Sequence, residues 1–366
     1  MIKGSDDLKY WLGLSLVPGL GPRTFQTLYQ QFGSARKIWE SSRRELLDSG
    51  LAERVCDTLC CLREDSDLEG ELAKAAELGI SLVTWEDERY PKNLKEISSP
   101  PPLLYIRGEL LPRDEISLAV VGTRKFSGYG KRVTTKIVED LVLAGLTIVS
   151  GLAWGIDSFA HRAALQAGGR TVAVLGHGLD QVYPPENRDL AAEIACQGAL
   201  VSEFPLGFPP VPGNFPARNR IISGLSLGTL VCEAPERSGA LITAACALEQ
   251  GRLVFALPGP IFSPRSLGTG RLIQSGAKLV MGADDVLSAL NLELRVEQRK
   301  VRELLAETVE EEGLLGILRG EEVSLGTDEI IRRSGLPPAV VLSTLVKMRM
   351  RGAVEETSGG RWVVRL

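Results

Sequence analysis

From position 118 onward the chain alternates short apolar runs with amphipathic stretches. The apolar runs Leu118–Val121, Leu146–Val149, Thr171–Leu175, Ala199–Val201, Leu227–Cys232, Leu253–Leu257 and Lys278–Met281 are too short for helices and predict strands. Between them, apolar positions recur at helical spacing over Tyr129–Leu143, Ile156–Gln166, Arg188–Cys196, Arg218–Leu225, Gly239–Glu249, Gly268–Gln274 and Asp284–Leu290. Strands that are nearly continuously apolar are covered on both faces, so the pattern predicts an α/β domain with a doubly wound parallel sheet.

The flanks read differently. Residues 8–60 predict short helices, with a Gly/Pro turn over Leu14–Gly21 that has the look of a helix-hairpin-helix. Leu68–Leu78 is an amphipathic helix stopped by Gly79, and the strands Ile80–Val83 and Leu103–Ile106 are expected to edge the large domain. At the other end, a helix over Asp328–Ser334 behind a Thr327 cap is followed by a Gly335–Pro338 turn. A second helix over Ala339–Met350 then leads, past Gly352, to a hairpin of Ala353–Thr357 and Arg361–Leu366 around Ser358-Gly359-Gly360. Helix, turn, helix and two-stranded wing predict a winged helix. The expected divisions are 1–65 helical, 66–290 α/β, 291–320 linker and helix, and 321–366 winged helix.

Composition changes this picture little, but charge refines it. Of 366 residues 44% are hydrophobic and 24% charged, which excludes a disordered or fibrous chain. No apolar run is long enough to span a membrane and the first residues lack a signal-peptide core, so a cytoplasmic protein with no membrane insertion is expected. The net charge of -4 does not advertise nucleic acid. Residues 118–290, however, carry 15 Lys/Arg against 13 Asp/Glu, whereas residues 1–117 carry 15 against 20. Any nucleic-acid site is therefore a local groove. The six cysteines are ill-spaced for a disulfide framework or a zinc site, and with two histidines in the chain no metal is expected; they read as small buried hydrophobes.

Ligands of an open parallel sheet bind beyond the carboxyl ends of its strands, and glycines with small polar residues gather there. The first strand ends Val121-Gly122-Thr123-Arg124, with Ser127, Gly128 and Gly130 opening the next helix. Ser150-Gly151 and Gly155-Ile156-Asp157 follow the second, Gly176-His177-Gly178 the third, and Ser202-Glu203 the fourth. Later come Arg218-Asn219-Arg220, Ser238-Gly239, Pro258-Gly259 and Ser266 to Gly270. Glycine lets backbone amides approach an anion at a helix start, so the series predicts an extended anion-binding crevice. There is no Gly-x-Gly-x-x-Gly, no acid for a ribose after the second strand and no Gly-Lys-[Ser/Thr] P-loop. Arg124, Arg218 and Arg220 suit the phosphates of a nucleic-acid backbone. Asp157 and His161, one helical turn apart, form either a base with its orienter or a buried polar pair fixing the loop.

These residues carry a resemblance. Val121-Gly122-Thr123-Arg124, Ser150 to Asp157 with Ala160-His161, Leu175 to Gly178 with Tyr183-Pro184, and Phe215 to Ile222 closely resemble the bacterial DNA-processing protein A (DprA/Smf) family. So do Ser202-Glu203, Ser238 to Thr243, Pro258-Gly259 and Leu272 to Ala277. The resemblance implies an extended Rossmann-like domain, a sterile-alpha-motif-like front and a winged-helix tail. It further implies single-stranded DNA binding, protection of incoming strands, loading of the RecA recombinase in natural transformation, and a homodimer through the Rossmann-like domain, with no catalytic activity and no cofactor. The candidate DNA-binding residues are Gly122, Thr123, Arg124, Ser127, Gly128, Gly151, Trp154, Gly155, Gly176, Gly178, Arg218, Asn219, Arg220, Ser238, Gly239, Thr243, Gly268 and Arg271, with Arg218 the one open to a salt bridge with Glu203. Leu225, Leu227, Leu230 and Ile242 are either the dimer region or simply core. Trp154 stands where many members have Lys or Arg, and is either a plug over the helix start or a base-stacking group. Gly268-Thr269-Gly270-Arg271 replaces a Gly-x-Asn and brings a positive charge to that loop.

Two other readings compete. A nucleotide phosphoribohydrolase-like enzyme would carry a Pro-Gly-Gly-x-Gly-Thr-x-x-Glu loop, where this chain has Pro258-Gly259-Pro260-Ile261. A winged-helix transcriptional regulator would need donors on Ala339–Met350, which offers only Lys347 and Arg349 as cations.

Overall fold

A computed structural model describes residues 7–292, 308–319, 325–350, 354–357 and 361–364. Much of the expected linker, together with Gly352, Ala353 and the Ser358-Gly359-Gly360 turn, lies outside the described residues. The chain divides into two compact units, Met1–Leu290 and Asn291–Leu366.

In the first unit the apolar runs become strands β1 (Ile80–Thr84), β2 (Leu103–Gly108), β3 (Ser117–Val121), β4 (Thr147–Ser150), β5 (Thr171–Leu175), β6 (Ala199–Ser202), β7 (Gly228–Val231), β8 (Leu253–Ala256) and β9 (Lys278–Leu279). They form one sheet in the order β1-β2-β6-β5-β4-β3-β7-β8-β9. Strands β3 to β9 pair in parallel, as their apolar character predicts. The two early strands extend the sheet past β6, and β2 runs antiparallel to both of its neighbours.

Side chains alternate across β2. Leu103 and Tyr105 join one apolar core, Leu104 and Ile106 the other. The first core is shared with the front helices α1 (Leu8–Ser15), α2 (Pro22–Phe32), α3 (Ala35–Glu40), α4 (Arg43–Asp48), α5 (Glu53–Asp65) and α6 (Leu68–Glu77). Trp11, Phe25, Leu28, Ile38 and Leu59 of those helices are continuous with Leu175 and Leu200 of the sheet. The remaining helices of this unit are α7 (Lys92–Lys95), α8 (Gly128–Leu143), α9 (Ile156–Gln166), α10 (Arg188–Gln197), α11 (Asn214–Leu225), α12 (Gly239–Glu249), α13 (Leu267–Gln274) and α14 (Ala283–Ala289). Among the described residues no helix is long and apolar enough to cross a membrane.

One helix departs from expectation in a way that matters. α11 starts at Asn214, four residues before the predicted Arg218. Pro216 does not break it, because first-turn amides have no intrahelical acceptor and proline gives up nothing there. The cysteines also divide: Cys56 and Cys232 are buried, but Cys61 and Cys196 are exposed on outer helix faces, against the expectation of uniform burial.

The second unit contains α15 (Val309–Arg319), β10 (Leu325–Gly326), α16 (Thr327–Ser334), α17 (Pro338–Met350), β11 (Val354–Thr357) and β12 (Arg361–Val364). Its core joins Leu315, Ile330, Val341, Leu345, Met348 and Trp362. The wing has a third short strand that the sequence pattern does not predict, in the order β10-β12-β11. Thr327 opens the helix instead of capping it, and its hydroxyl accepts a 3.0 Å bond from the Trp362 indole.

His161 of α9 belongs to the core. Thr171 donates its hydroxyl to the Ile148 carbonyl, so it accepts from His161 Nδ1–H at 2.6 Å. His161 Nε2 is left buried without a partner. A proton there would be a buried, unsolvated charge, and burial pulls the imidazole pKa from 6.5 down to about 3. The unfolded chain binds this proton below pH 6.5 and the fold does not. The stability linked to His161 is therefore complete above pH 6.5 and declines as pH falls toward 3, by about 1.4 kcal/mol per unit. Denaturant unfolding of His161→Gln between pH 4 and 6 is expected to show a pH slope shallower than the native protein's by about that amount; equal slopes would remove His161 as the cause.

Candidate nucleic-acid interface

Strands β4, β5 and β6 are added on one side of β3, and β7, β8 and β9 on the other, so the topological switch point lies between β3 and β7. In open α/β sheets this crevice receives a nucleotide phosphate. Here it receives Glu233. The Thr123 amide donates to the Glu233 carbonyl at 2.7 Å. The carboxylate of Glu233 accepts the Ser127 amide at 2.8 Å and the Ser127 hydroxyl at 2.7 Å, directly at the start of α8. A Cβ on Gly130 would run into that carboxylate. The helix start expected to cradle an outside anion already holds one of the chain's own.

The next loop repeats the device. Asp157, in the first turn of α9, accepts the Gly151 amide at 3.2 Å, and the amides of Gly122 and Ala153 as well. Burial pushes its pKa up; Arg218 and these amides oppose the rise. Arg218 is 4% exposed. Its Nη1 donates to the Gly151 carbonyl at 2.8 Å and to that of Val174. Burial lowers its pKa to about 10, partly offset by Asp157, so it remains a cation at neutral pH. A Cβ on Gly151 would sit 2.6 Å from the guanidinium, which is why glycine stands there. Asp157 and His161 are not partners; the first holds loops and the second bonds Thr171.

The sequence expectation for the arginines needs correction. The salt bridge with Glu203 is made by Arg220, not Arg218. Both members of that pair are largely buried, and burial raises the Glu203 carboxyl while Arg220 holds it down. Both arginines lie within α11, two residues and hence about 200° apart around its axis. One enters the sheet and the other meets the end of β6. Asn219 is buried as well, accepting from Arg218 Nε and donating to the Gly239 carbonyl, both at 3.3 Å.

The other predicted residues divide between scaffold and surface. Thr123 and Thr243 are buried. Gly122 makes room for Ile156, Gly178 for the Pro205 carbonyl, and Gly268 for the carbonyls of Ala234 and Pro235. Gly155 has φ +95°, a left-handed value only glycine adopts readily, and packs on Thr123 and Arg124. Ser127 and Ser238 cap α8 and α12. Gly128 and Gly239, the first residues of those helices, face open space. Arg271 is exposed and paired with Glu236.

Exposed groups remain on this edge. Arg124 lies with its guanidinium 5.7 Å from the centre of the Phe215 ring, which in turn is 5.9 Å from Tyr183. Gly176 lies against Phe215, where a Cβ would meet the ring at 3.2 Å. Trp154 is half exposed and Lys125 exposed. Phe215 and Tyr183 were not singled out from the sequence, although both stand inside the motifs that carry the resemblance. Unbound cations interleaved with aromatic rings suit a ligand with negative charge and flat faces.

Comparison with known proteins finds relatives of both units. The model of the DNA recombination-mediator protein A family matches residues 81–291, and that of the DprA winged helix domain matches residues 298–360. Protein Smf of Escherichia coli is 42% identical over 310 residues, covering 80% of this chain and 80% of its own. The X-ray structure of DNA processing protein A from Streptococcus pneumoniae superimposes with a TM-score of 0.67 at 37% identity, covering 78% of this chain and 98% of that one. That of Helicobacter pylori, a structure concerned with a single-stranded DNA binding mode, gives 0.52 at 31% identity over 58% of this chain and 95% of its own. The nine-stranded sheet, the helical front, the winged helix and these matches together show that the chain belongs to the DNA recombination-mediator protein A (DprA/Smf) family.

Proposed function

We propose that the protein binds single-stranded DNA without sequence preference along the carboxyl edge of its sheet, protects incoming strands and presents them to the RecA recombinase in natural transformation, without covalent chemistry on the DNA. In this reading 1–65 is a helical module on the 66–290 binding domain, and 291–320 joins it to the winged helix at 321–366. The observation that carries the reading is the division of the edge. Its amide cradles are filled by Glu233 and Asp157, which disfavours a nucleotide-processing pocket, while Arg124, Trp154 and the Phe215–Tyr183 pair are left toward solvent. The ligand named for the Helicobacter pylori relative and the family's role point the same way.

Dimerisation through this domain is part of the proposal, and only part of the region the sequence suggested is free to make it. Leu225 and Leu230 are core residues. Ile242 of that region is exposed on α12 with Leu248, and at the β9 edge Leu279 is 44% and Met281 83% exposed. Among the described residues β9 pairs only with β8, so its other side offers an open strand edge.

Two tests follow. Arg124→Ala is expected to keep the thermal midpoint, weaken binding to an oligothymidine about tenfold and lower the salt slope by about 0.7. Arg218→Ala leaves Asp157 buried without its counter-charge and is expected to destabilise the fold by about 3–5 kcal/mol, read as a lower midpoint. Binding unchanged by Arg124→Ala would exclude this edge as the DNA path. Separately, Leu279→Arg is expected to sediment as a monomer with native circular dichroism where the native chain is a dimer; a dimeric variant would move the interface elsewhere.

A further inference from the structure

The loop after β8 shows an unusual combination: it is fastened along its length and presents bare hydrophobic side chains at its tip. Its start is held by Tyr129, whose hydroxyl donates to the Pro258 carbonyl at 2.8 Å. Its end is held by Arg265, whose Nε donates to the Lys125 carbonyl at 2.7 Å, and by the Gly268 amide, which reaches Ala234 at 2.8 Å. Between these points, turns close from Ser263 to Pro260 and from Ser266 to Ser263. At the tip, Ile261 is 80% and Phe262 93% exposed. A loop this well tied could have turned a phenylalanine inward or carried a polar residue, and a bare ring held on a fixed support signals a contact surface.

Its surroundings identify the partner. The loop leaves the carboxyl end of β8, on the same edge as the Arg124 loop, and it is bonded to that loop through Lys125. The side chains of Arg124, Lys125 and Arg265 are exposed, and none of them is in an ion pair among the described residues. A ring beside unneutralised cations complements a partner with a flat apolar face and a repeating negative charge. That is an unpaired base on its phosphate backbone, not an uncharged protein surface. We propose that Phe262 is a base-stacking wedge which extends the single-strand path from the Arg124 loop across to the end of β8. The inference deepens the single-strand reading and rests on it.

Stacking contributes through the ring face and involves no phosphate, so it has a signature distinct from the Arg124 contact. The test uses the full-length protein and oligothymidines carrying one 2-aminopurine at successive positions. Native protein is expected to quench the probe at one position, where Phe262→Ala restores fluorescence and weakens binding about tenfold with an unchanged salt slope. Phe262→Trp is expected to retain quenching and affinity; Phe262→Leu, apolar but without a π face, is expected to lose both. If the native protein binds no single strand, the functional reading itself fails. If it binds and Phe262→Ala binds equally well, the wedge is wrong and the functional reading stands. A change in sedimentation with Phe262→Ala would make the tip a contact between copies, and tighter capture by anionic lipid vesicles than by oligothymidine would make it a membrane contact; either overturns the wedge.

Discussion

A buried carboxylate organises the working edge of this sheet. Asp157 sits in the first turn of α9 and gathers amides from the loops after β3 and β4, while Arg218 crosses from α11 to hold the carbonyls of Gly151 and Val174. Neither charge is stable alone at that depth, since removing either partner leaves the other without solvent or counter-charge. Together they knit three strand ends and two helices into one rigid block. The glycines of these loops exist to let carboxylate, guanidinium and helix approach, as the close contacts at Gly122 and Gly151 show. Arg124 and Trp154 are positioned by that block without being part of it.

Glu233 completes the logic at the switch point. A mononucleotide site must enclose its phosphate and cover its base, and here the enclosure is already full. What remains outside is shallow and mixed: a guanidinium over a ring, a half-exposed indole, a pair of helix starts capped by serine. Such a surface gives little to a single nucleotide. Against a polymer, the same weak elements act in series, and because each recognises phosphate charge or a base face instead of base edges, the sum is indifferent to sequence. Filling the cradle from within thus closes the nucleotide site of the fold and, in the proposed function, leaves its edge to a strand.

The parallel strands were legible because burial on both faces leaves no polar position to interrupt the apolar run. Strand direction was not: β2 reads like any other apolar segment, and only pairing with β6 fixes it as antiparallel. The roles of Arg218 and Arg220 were hidden because two such positions on one helix point about 200° apart, and only the packing of α11 shows which faces the sheet and which the end of β6. The glycine series marked loops that the chain's own carboxylates fill, but not those occupants. Glycine admits a foreign phosphate and an internal carboxylate by the same loss of Cβ, and sequence spacing did not show that Asp157 and Glu233 would swing into the gaps. The aromatic component was visible as letters in the motifs, yet Phe215 gains meaning only when Arg124 is found above it.

The winged helix extends this reasoning by contrast. A helix that reads the major groove offers donors along its exposed face, near its start. α17 begins with Pro338 and Ala339, exposes Leu342 and Val346 one turn apart, and has Arg349 tied to Glu356 across to the wing. An apolar pair at that spacing suits packing against another protein surface better than hydrogen bonding to base edges. In the proposed function the labour divides physically: strand contact through the exposed cations and rings of the sheet edge, protein contact through the small domain.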